Sequence, residues 1–369
     1  MKKVLHLLNY LGNGGTETYI YLLAKKLHNK NCKFYLAYSE DGIGRKMFED
    51  LGVELIHMNM RSPFDINGAK ELKRICRELS IDVIHTHFLR ENYISIISKL
   101  LGNRPKLINT RHMLLENSKG VMLTNKVFTR FNDAIIAVSS SVKRQLLEEG
   151  ISEKRIELIY NGIDISEWDE PITLTFRKEL NIPEDVLLIT SVARFTEEKG
   201  HEFLLDSIHL LREYIQNHEI DGKRFKFILV GDGILLENMK KKAYELGIND
   251  DIIFTGFRRD IKDILKSSDI YISHSKSEAF GISILEAIAA HLPVITTDSG
   301  GTKEIINPES NNGILIDYGD KEALVENIFK LINDEELRNS YSSKAIELTK
   351  QKFNLDKIAQ STYNLYSLE

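Results

Sequence analysis

Two glutamates, Glu278 and Glu286, bracket a glycine at the start of a short predicted helix. The first backbone N–H groups of a helix have no intrahelical partner, and the helix dipole adds about half a positive charge there. The backbone N–H groups of Phe280, Gly281 and Ile282 therefore form a predicted phosphate-binding site. Gly281 has no side chain, so the phosphate can approach the backbone closely. Ionised carboxylates only accept hydrogen bonds, so they suit sugar hydroxyls better than phosphates. The segment predicts a site for a nucleotide that carries a sugar.

The alternative for Glu286 is an ordinary surface position, because an isolated helical glutamate is most often solvated. Glu286 shares its helix face with Ser283, Ala287 and Ala290, however, on a helix that is apolar almost all round. A charge among small side chains on a mostly buried helix needs a polar partner. The pattern therefore favours a ligand-binding role.

Two cations follow the first predicted strand of the same half of the chain. Arg194 and Lys199 bracket a short loop that ends in a glycine. Cations that face a pyrophosphate would stabilise the charge that develops when a nucleoside diphosphate leaves, although loop cations are usually just solvated. The segments Gly231-Asp232-Gly233 and Gly256-Phe257-Arg258 follow two further strands. Each could contact a nucleobase or form a simple turn.

A glycine-rich loop, residues 12–17, follows the first strand of the chain and opens a helix. It partly matches the G-x-G-x-x-G pattern of dinucleotide-binding proteins, but Glu17 stands in place of the third glycine. This difference argues against an enzyme that uses a nicotinamide or flavin cofactor. Gly14 and Gly15 at a helix start would still allow close approach of an anion or a substrate. A tight turn is an equally good interpretation.

Histidines end two other strands of the first half. His85 and His87 alternate on one strand and therefore point to one face. As a metal pair they lack an obvious third ligand, whereas His87 alone could position a reactive hydroxyl. His112 follows Arg111 at the end of the next strand, and together with Arg90 these residues could receive an anionic acceptor. Asp-x-Asp, the carboxylate pair that would hold a divalent metal, occurs nowhere in the sequence, so we predict no metal and no cofactor.

Strands and helices alternate around these motifs, which predicts α/β architecture with two doubly wound parallel sheets. Ligands of such sheets bind beyond the carboxyl ends of the strands, where the motifs cluster. We predict domains over residues 1–165 and 166–350, joined by a connection within 161–185, and a C-terminal helix within 351–369 that packs across the domain junction. The predicted strands are 4–9, 34–38, 53–57, 83–86, 107–110, 134–138, 187–192, 225–230, 252–255, 270–273 and 294–297.

Composition fits a soluble globular protein of two domains. The 369 residues are 42% hydrophobic and 28% charged, and no apolar run approaches the roughly 18 residues of a membrane-spanning helix. The first residues are more typical of a strand than of a signal peptide. Cys32 and Cys76 show no metal-binding spacing and suit a reducing cytoplasm.

Charge is distributed unevenly along the chain. Residues 1–165 carry 25 Lys and Arg against 18 Asp and Glu, whereas the remainder carries 24 against 36. The basic half indicates an anionic partner, either a phosphorylated acceptor or an anionic membrane surface, with scattered solvated lysines as an equally good explanation. We predict no nucleic-acid partner, and the residues leave the oligomeric state open.

These motifs together resemble the retaining glycosyltransferases of family 4, and the resemblance covers nearly the whole chain. That family has the GT-B fold, in which two Rossmann-like domains face each other across a deep cleft. The matching elements are Gly14-Gly15-Thr16-Glu17 for the family's Gly-Gly-x-Glu, Arg194 with Lys199-Gly200 for its Gly-Arg-Leu-x-x-x-Lys-Gly, Glu278 and Glu286 for its Glu-x7-Glu, and the segments 160–164 and 293–304.

The resemblance implies that residues 166–350 bind a nucleotide sugar and residues 1–165 bind the acceptor. It assigns the diphosphate to Arg194 and Lys199, the ribose to Glu286 and the transferred sugar to Glu278. The backbone of Phe280, Gly281 and Ile282 would contact phosphate or sugar, and Gly14, Gly15 and Arg258 complete the predicted donor-binding set. His87 matches the family's active-site histidine and joins Glu278, Arg194 and Lys199 as the predicted catalytic residues. Arg90, Arg111 and His112 form the predicted acceptor-binding set.

The implied reaction transfers a sugar from a UDP-sugar, or alternatively a GDP-sugar, to a hydroxyl group with retention of anomeric configuration. The acceptor would be a sugar or a lipid-linked glycan in bacterial cell-envelope polysaccharide or glycolipid synthesis. We expect a cytoplasmic enzyme, with peripheral contact to the inner membrane face as a further expectation. A sugar-nucleotide epimerase or phosphorylase of the same fold is the first alternative, and a non-catalytic nucleotide-sugar-binding protein is the second.

Two positions depart from the family pattern. Ala193 replaces the usual glycine before Arg194, and His291 replaces a glycine after the Glu286 helix, where a left-handed backbone conformation is often needed. Neither position carries a proposed functional side chain.

Overall fold

The structure is a computed structural model that describes residues 1–115, 117–217 and 224–367. The chain forms two compact units, the first from Met1–Gly162 with Leu355–Glu369 and the second from Ile163–Asn354. The sequence-based limits of 165 and 350 differ from these boundaries by a few residues.

The strands of the described residues are short and mostly buried. In chain order they are β1 (Lys2–Tyr10), β2 (Cys32–Glu40), β3 (Glu54–His57), β4 (Val83–Thr86), β5 (Lys106–Arg111), β6 (Ala134–Ala137), β7 (Ile156–Leu158), β8 (Val186–Val192), β9 (Arg224–Val230), β10 (Ile252–Gly256), β11 (Ile270–Ser273), β12 (Val294–Thr297) and β13 (Ile314–Ile316).

Helices connect most of these strands. In chain order they are α1 (Gly15–Leu27), α2 (Arg45–Glu49), α3 (Ile66–Leu79), α4 (Leu89–Leu100), α5 (Lys119–Phe128), α6 (Ser140–Glu148), α7 (Ile165–Asp169), α8 (Phe176–Glu179), α9 (His201–Asn217), α10 (Leu236–Glu245), α11 (Ile261–Lys266), α12 (Ile282–Ala289), α13 (Lys321–Asn333), α14 (Glu335–Lys352) and α15 (Leu355–Ser367). Within the described ranges, no helix combines the length and apolarity that crossing a bilayer requires.

The first unit is built on a parallel sheet of seven strands in the order β3-β2-β1-β4-β5-β6-β7. Side chains of the interior strand β1 alternate between two cores. Val4 and Leu8 pack with residues of α1 and α15, whereas Leu5 and Leu7 pack with residues of α3 and α4. Burial on both faces explains why β1 is a nearly continuous apolar run.

The second unit repeats this plan with six parallel strands in the order β10-β9-β8-β11-β12-β13. Ile189 and Phe227 face a core formed with α9, α10 and α13, whereas Leu188 and Ile228 face a smaller core with residues of α8 and α11. Two doubly wound parallel sheets confirm the predicted fold class.

All eleven predicted strands are present, and their ends differ from the prediction by at most two residues. The three-residue edge strands β7 and β13 were missed because they are too short to show a pattern. The predicted connection over 161–185 contains α7 and α8, which lie in the second unit. The predicted C-terminal helix is α15, which belongs to the first unit and packs against α1 there.

Candidate functional site

The predicted phosphate-binding site lies at the start of α12 in the second unit. Gly281 precedes the helix with φ 108°, and a Cβ at this position would lie 2.9 Å from Cδ1 of Ile284. Backbone conformation and packing therefore both require glycine. The ring of Phe280 is buried against Phe353, with ring centroids 5.4 Å apart, which fixes the turn before the helix. Ile282 is the first helical residue, so its N–H group belongs to the positive end of the helix dipole.

Lys199 and Glu278 form a largely buried ion pair next to this helix start. Nζ of Lys199 lies 2.6 Å from Oε2 of Glu278, and Oε1 accepts a 3.4 Å hydrogen bond from the Phe280 N–H group. The two loops are also joined through their backbones, because the N–H group of Lys276 donates to the Glu198 carbonyl at 2.9 Å. In this pair, the Lys199 cation can bind an anionic group, and the Glu278 carboxylate can accept hydrogen bonds from hydroxyl groups and so orient them.

The chain that follows β12 fixes the backbone of Glu278. The Glu278 N–H group donates to the Ser299 carbonyl at 2.8 Å, and the Glu278 carbonyl accepts from the Gly301 N–H group at 2.9 Å. The glycine pair at 300–301, part of the segment that resembles a family element, therefore supports the loop that carries the carboxylate.

Arg194 lies on the loop after β8 with its side chain 62% exposed. Its Nη2 is 3.3 Å from Oε1 of Glu198, so in this structure Arg194 pairs with Glu198 rather than with Glu278. The loop packs tightly against the turn after β9, where a Cβ on Gly231 would lie 2.0 Å from the Ala193 carbonyl oxygen. Gly231 therefore has a clear structural role in supporting the Arg194 loop.

Glu286 lies one turn into α12, in an environment that favours its protonated form. Burial raises the pKa of its carboxyl from 4.5 to about 7. The charges of Glu286 and Glu278 both act on the buried phenol of Tyr271 on β11, whose pKa burial raises well above its usual value. Both glutamates of the sequence motif are therefore close enough to Tyr271 for their charges to affect its phenol. Glu286 itself can exchange a proton near neutral pH.

Arg258 is engaged in a structural network. Its guanidinium contacts Glu179 through two nitrogens at 2.6 and 2.8 Å and contacts Asp260 at 2.6 and 2.9 Å. The same group lies 5.7 Å from the ring centroid of the buried Phe176. Donor binding by Arg258 stays a prediction, and it would compete with these four contacts.

His291 adopts the left-handed conformation expected at its position, with φ 68°. Its Nε2 lies 3.0 Å from Oδ1 of Asp169, and its carbonyl accepts a 2.8 Å hydrogen bond from the Ser342 hydroxyl. These contacts hold a non-glycine residue in a conformation that usually favours glycine.

In the first unit, the buried Glu17 organises the glycine-rich loop. Its Oε1 accepts a hydrogen bond from the Gly12 N–H group at 3.1 Å, and its Oε2 accepts one from the Gly14 N–H group at 3.0 Å. Gly15 is then the first residue of α1. The glutamate that breaks the dinucleotide pattern therefore holds the loop at the helix start.

A chain of three imidazoles runs through the first unit. His87 is in the middle, with Nε2 3.0 Å from Nδ1 of His6 and Nδ1 3.0 Å from Nε2 of His112. Burial lowers the pKa of His6 and of His112 to about 3 and lowers the pKa of His87 well below its usual value. The chain is therefore neutral near pH 7, and His112 is its partly exposed end.

His85 lies beside this chain and changes one conclusion from the sequence. Ligand atoms of His6, His85 and His87 all lie within 4.8 Å of one another, so His6 is a potential third ligand that was not obvious from the sequence. Both nitrogens of His85 are already hydrogen-bonded at 2.7 Å, to the hydroxyls of Tyr366 and Thr110. A cation bound there would have to displace one of these bonds.

Arg90 and Arg111 lie on different elements of the first unit. Arg90 is on α4, with Nη1 3.5 Å from the Met60 carbonyl. Arg111 ends β5 and is only 7% exposed, and burial lowers the pKa of its guanidinium. His112 follows it, and its Nε2 lies 3.0 Å from Nδ1 of His87.

Sequence reasoning missed three neighbours of these residues. His6 pairs with His85 across β1 and β4, and only the strand register could have revealed it. Tyr271 is part of a buried strand and resembles an ordinary core residue. Glu198 was hidden in a charged loop, although its spacing from Arg194 would allow an ion pair.

Two family models match this chain. "Glycosyltransferase Family 4" matches residues 13–167, and "Glycosyl transferases group 1" matches residues 173–348. Between them the two models cover most of both units.

The chain is also similar in sequence to named proteins and in fold to solved structures. N-acetyl-alpha-D-glucosaminyl L-malate synthase from Bacillus anthracis is 25% identical over 325 residues, which are 86% of this chain and 83% of that protein. UDP-Gal:alpha-D-GlcNAc-diphosphoundecaprenol alpha-1,3-galactosyltransferase from Escherichia coli is 24% identical over 313 residues, 82% of this chain and 79% of that protein. The structure of Anabaena Alr3699/HepE in complex with UDP and glucose has the same fold, with a TM-score of 0.87, 21% identity and 100% coverage of both chains.

Proposed function

Because the chain belongs to glycosyltransferase family 4, we propose that it transfers a sugar from a nucleoside-diphosphate sugar to a hydroxyl acceptor, with retention and without a metal. The ion pair between Lys199 and Glu278 at the start of α12 is the observation that carries this proposal. It combines a cation, a carboxylate and a helix N-terminus, which suits a ligand made of a diphosphate and a sugar.

The proposed donor site divides the ligand among the side chains of the second unit. Lys199 and Arg194 bind the diphosphate oxygens, together with backbone N–H groups at the start of α12. Glu278 accepts hydrogen bonds from hydroxyls of the transferred sugar when Lys199 turns to the phosphate. Glu286 in its ionised form accepts hydrogen bonds from the ribose hydroxyls.

In the proposed reaction, the bond between the anomeric carbon and the diphosphate oxygen breaks, and the acceptor oxygen bonds to the same face of that carbon. Lys199 and Arg194 stabilise the charge that develops on the leaving diphosphate. The leaving phosphate takes the acceptor proton, so the reaction needs no protein nucleophile, in contrast to two-carboxylate glycosidases. His87 positions the hydroxyl, and the neutral state of its histidine chain supports hydrogen bonding rather than charge stabilisation.

We favour a UDP-sugar as donor, with a GDP-sugar as the alternative. The Anabaena structure contains UDP and glucose, and the name of the Escherichia coli relative specifies UDP-Gal. The name of one relative contains L-malate, and the names of two others contain sugars linked to diphosphoundecaprenol. The latter two names support our proposal of a sugar or lipid-linked glycan as acceptor, in bacterial cell-envelope polysaccharide or glycolipid synthesis.

We further propose a cytoplasmic enzyme that contacts the anionic inner membrane face peripherally. Helix α5 supports this proposal, because Leu123 is 65% exposed and Val127 is 44% exposed, with the exposed Lys119 and Lys126 on the same helix. Apolar side chains flanked by lysines suit an anionic lipid surface. Co-sedimentation with anionic but not zwitterionic vesicles, reduced in Leu123→Glu, is the expected result.

Two alternative functions make different predictions for the same samples. An epimerase or phosphorylase would convert the sugar nucleotide without an acceptor hydroxyl, which product analysis by NMR would show. A non-catalytic binding protein would bind the donor and release no nucleotide.

A screen of UDP-, GDP- and ADP-sugars tests the proposal, with thermal shift as the readout for binding and nucleotide release as the readout for turnover. The expected result is stabilisation by one nucleotide class together with release of that nucleotide. Arg194→Ala should abolish release. Stabilisation without release by any sugar nucleotide, even with added sugar and lipid-linked acceptors, would support the binding protein instead.

A further inference from the structure

Arg111 is a buried cation whose hydrogen-bonding capacity is incompletely used. It is 7% exposed at the end of β5, and within the described part of the chain its Nε and Nη2 atoms have no hydrogen-bond partner. A guanidinium keeps its charge in proteins. Buried N–H groups without an acceptor are costly, so a native structure that retains them usually has an acceptor to offer them.

The two unpartnered atoms lie on the same edge of the guanidinium. Nε and Nη2 point their N–H bonds in nearly parallel directions, and this fork matches the two oxygens of a carboxylate or a phosphate. A single unpaired nitrogen would indicate only an imperfect contact. An entire unpaired edge has the geometry to bind both oxygens of one oxyanion.

Among the described residues, no carboxylate is hydrogen-bonded to this edge of Arg111. Glu149 is the carboxylate whose charge acts on Arg111, but its oxygens accept hydrogen bonds from two asparagines and none from Nε or Nη2 of Arg111. Oε1 accepts a hydrogen bond from Nδ2 of Asn117 at 2.6 Å, and Oε2 accepts one from Nδ2 of Asn125 at 2.8 Å. Tyr93, the other residue that acts on Arg111, donates its own hydroxyl proton to Asn125.

The position of Arg111 in the fold also suits an anion. It lies at the carboxyl end of its strand, where parallel sheets bind ligands. It pairs with Ala137 on β6, and two residues later the side chain of Ser139 caps the positive end of α6. Residues 1–165 as a whole carry an excess of basic side chains.

We propose that the Nε–Nη2 edge of Arg111 binds an oxyanion, a phosphate or a carboxylate, that belongs to the acceptor. The acceptor is therefore an acidic molecule, and Arg111 selects it over a neutral molecule that offers the same hydroxyl group. That this oxyanion belongs to the acceptor rests on the proposed function, whereas anion binding by Arg111 does not.

Binding of two simple anions tests this proposal without turnover. The parent protein is the full chain with Arg194→Ala and Lys199→Ala, which weakens anion binding at the donor site. Methyl phosphate and acetate are titrated while the arginine Nε–H signals are followed by ¹H–¹⁵N NMR. We expect saturable binding of at least one anion, and the one that binds more tightly identifies a phosphorylated or a carboxylated acceptor.

Substitutions then assign the binding to Arg111. Arg111→Gln should weaken it about tenfold to hundredfold, as expected for loss of a charged hydrogen-bond pair, and the exposed Arg104→Gln is the matched control with no effect. Arg111→Lys keeps the charge but loses the fork, so it should also weaken binding at least severalfold, and it decides the question if Arg111→Gln does not fold. Binding that is unchanged in both Arg111 variants, or no saturable binding in the parent, would overturn the proposal. Absence of nucleotide release by the wild-type enzyme would instead refute the proposed function and leave this result intact.

Discussion

Replacing Glu286 with glutamine should remove a pH dependence from the stability of the second unit. The folded protein holds the pKa of this carboxyl at about 7, whereas the unfolded chain has the ordinary value of 4.5. Below pH 4.5 the carboxyl is protonated in both the folded and the unfolded state, so it does not change the free energy of unfolding. Between pH 4.5 and 7 the unfolded chain loses its proton first, so the free energy of unfolding falls as pH rises. Above pH 7 both states are ionised and the loss is complete.

The size of this effect follows from the two pKa values. A difference between 4.5 and about 7 corresponds to about 3 kcal/mol, and water at the partly exposed edge of Glu286 reduces this to about 2 kcal/mol. Glutamine has nearly the same shape and no charge, so Glu286→Gln should match the wild type at pH 4.5 and be about 2 kcal/mol more stable at pH 8.

Urea unfolding followed by fluorescence measures this difference in the second unit. Trp168 is the single tryptophan of the sequence, and it lies on α7, which packs against α12. The same comparison with UDP present should show tighter binding to the wild type as pH rises through 7, because the ionised carboxylate accepts hydrogen bonds from the ribose hydroxyls more strongly than the protonated group does. A stability difference between variant and wild type that stays constant from pH 4.5 to pH 8 would refute this reasoning.

Three further substitutions separate binding, structure and catalysis. Gly281→Ala should destabilise the second unit by about 1–2 kcal/mol, because it forces a side chain to φ 108° and close to Ile284, and it should weaken UDP binding in calorimetry. Unchanged UDP affinity would exclude a role for this helix start. Arg258→Gln should lower the free energy of unfolding by about 1–2 kcal/mol and change the KM for the donor little, since its four contacts are structural. A large rise in KM with little loss of stability would support the predicted donor-binding role. His87→Ala should leave the dissociation constant of UDP unchanged and reduce the transfer rate at least tenfold, whereas near-normal transfer would show that His87 does not position the hydroxyl.

The parts of the candidate site that lie within one short segment could be predicted from the sequence. Glu278, Gly281 and Glu286 lie within nine residues, just before and within one short helix. The positions of the strands were also predictable, because parallel strands buried on both faces are apolar runs bounded by polar turns. These features depend on neighbours along the chain.

Features that depend on distant partners could not be predicted in this way. His6 and His87 are 81 residues apart, and only the register of β1 against β4 brings their rings together. Two of the four contacts of Arg258 are to Glu179, which lies 79 residues earlier, so the structural network around this loop arginine was not visible from its neighbours in the sequence. The unpaired edge of Arg111 also requires the positions of Asn117, Asn125 and Glu149, which no local pattern contains.

The rate of nucleotide release from UDP-glucose in Lys199→Ala tests the central claim most directly. Lys199 forms the 2.6 Å pair with Glu278, and loss of a cation at the leaving diphosphate should reduce the rate about a hundredfold or more. Lys241→Ala is the matched control, because Lys241 is 77% exposed on α10 and should leave the rate unchanged. Release by Lys199→Ala at the wild-type rate, under conditions in which the control is also active, would contradict the proposed site.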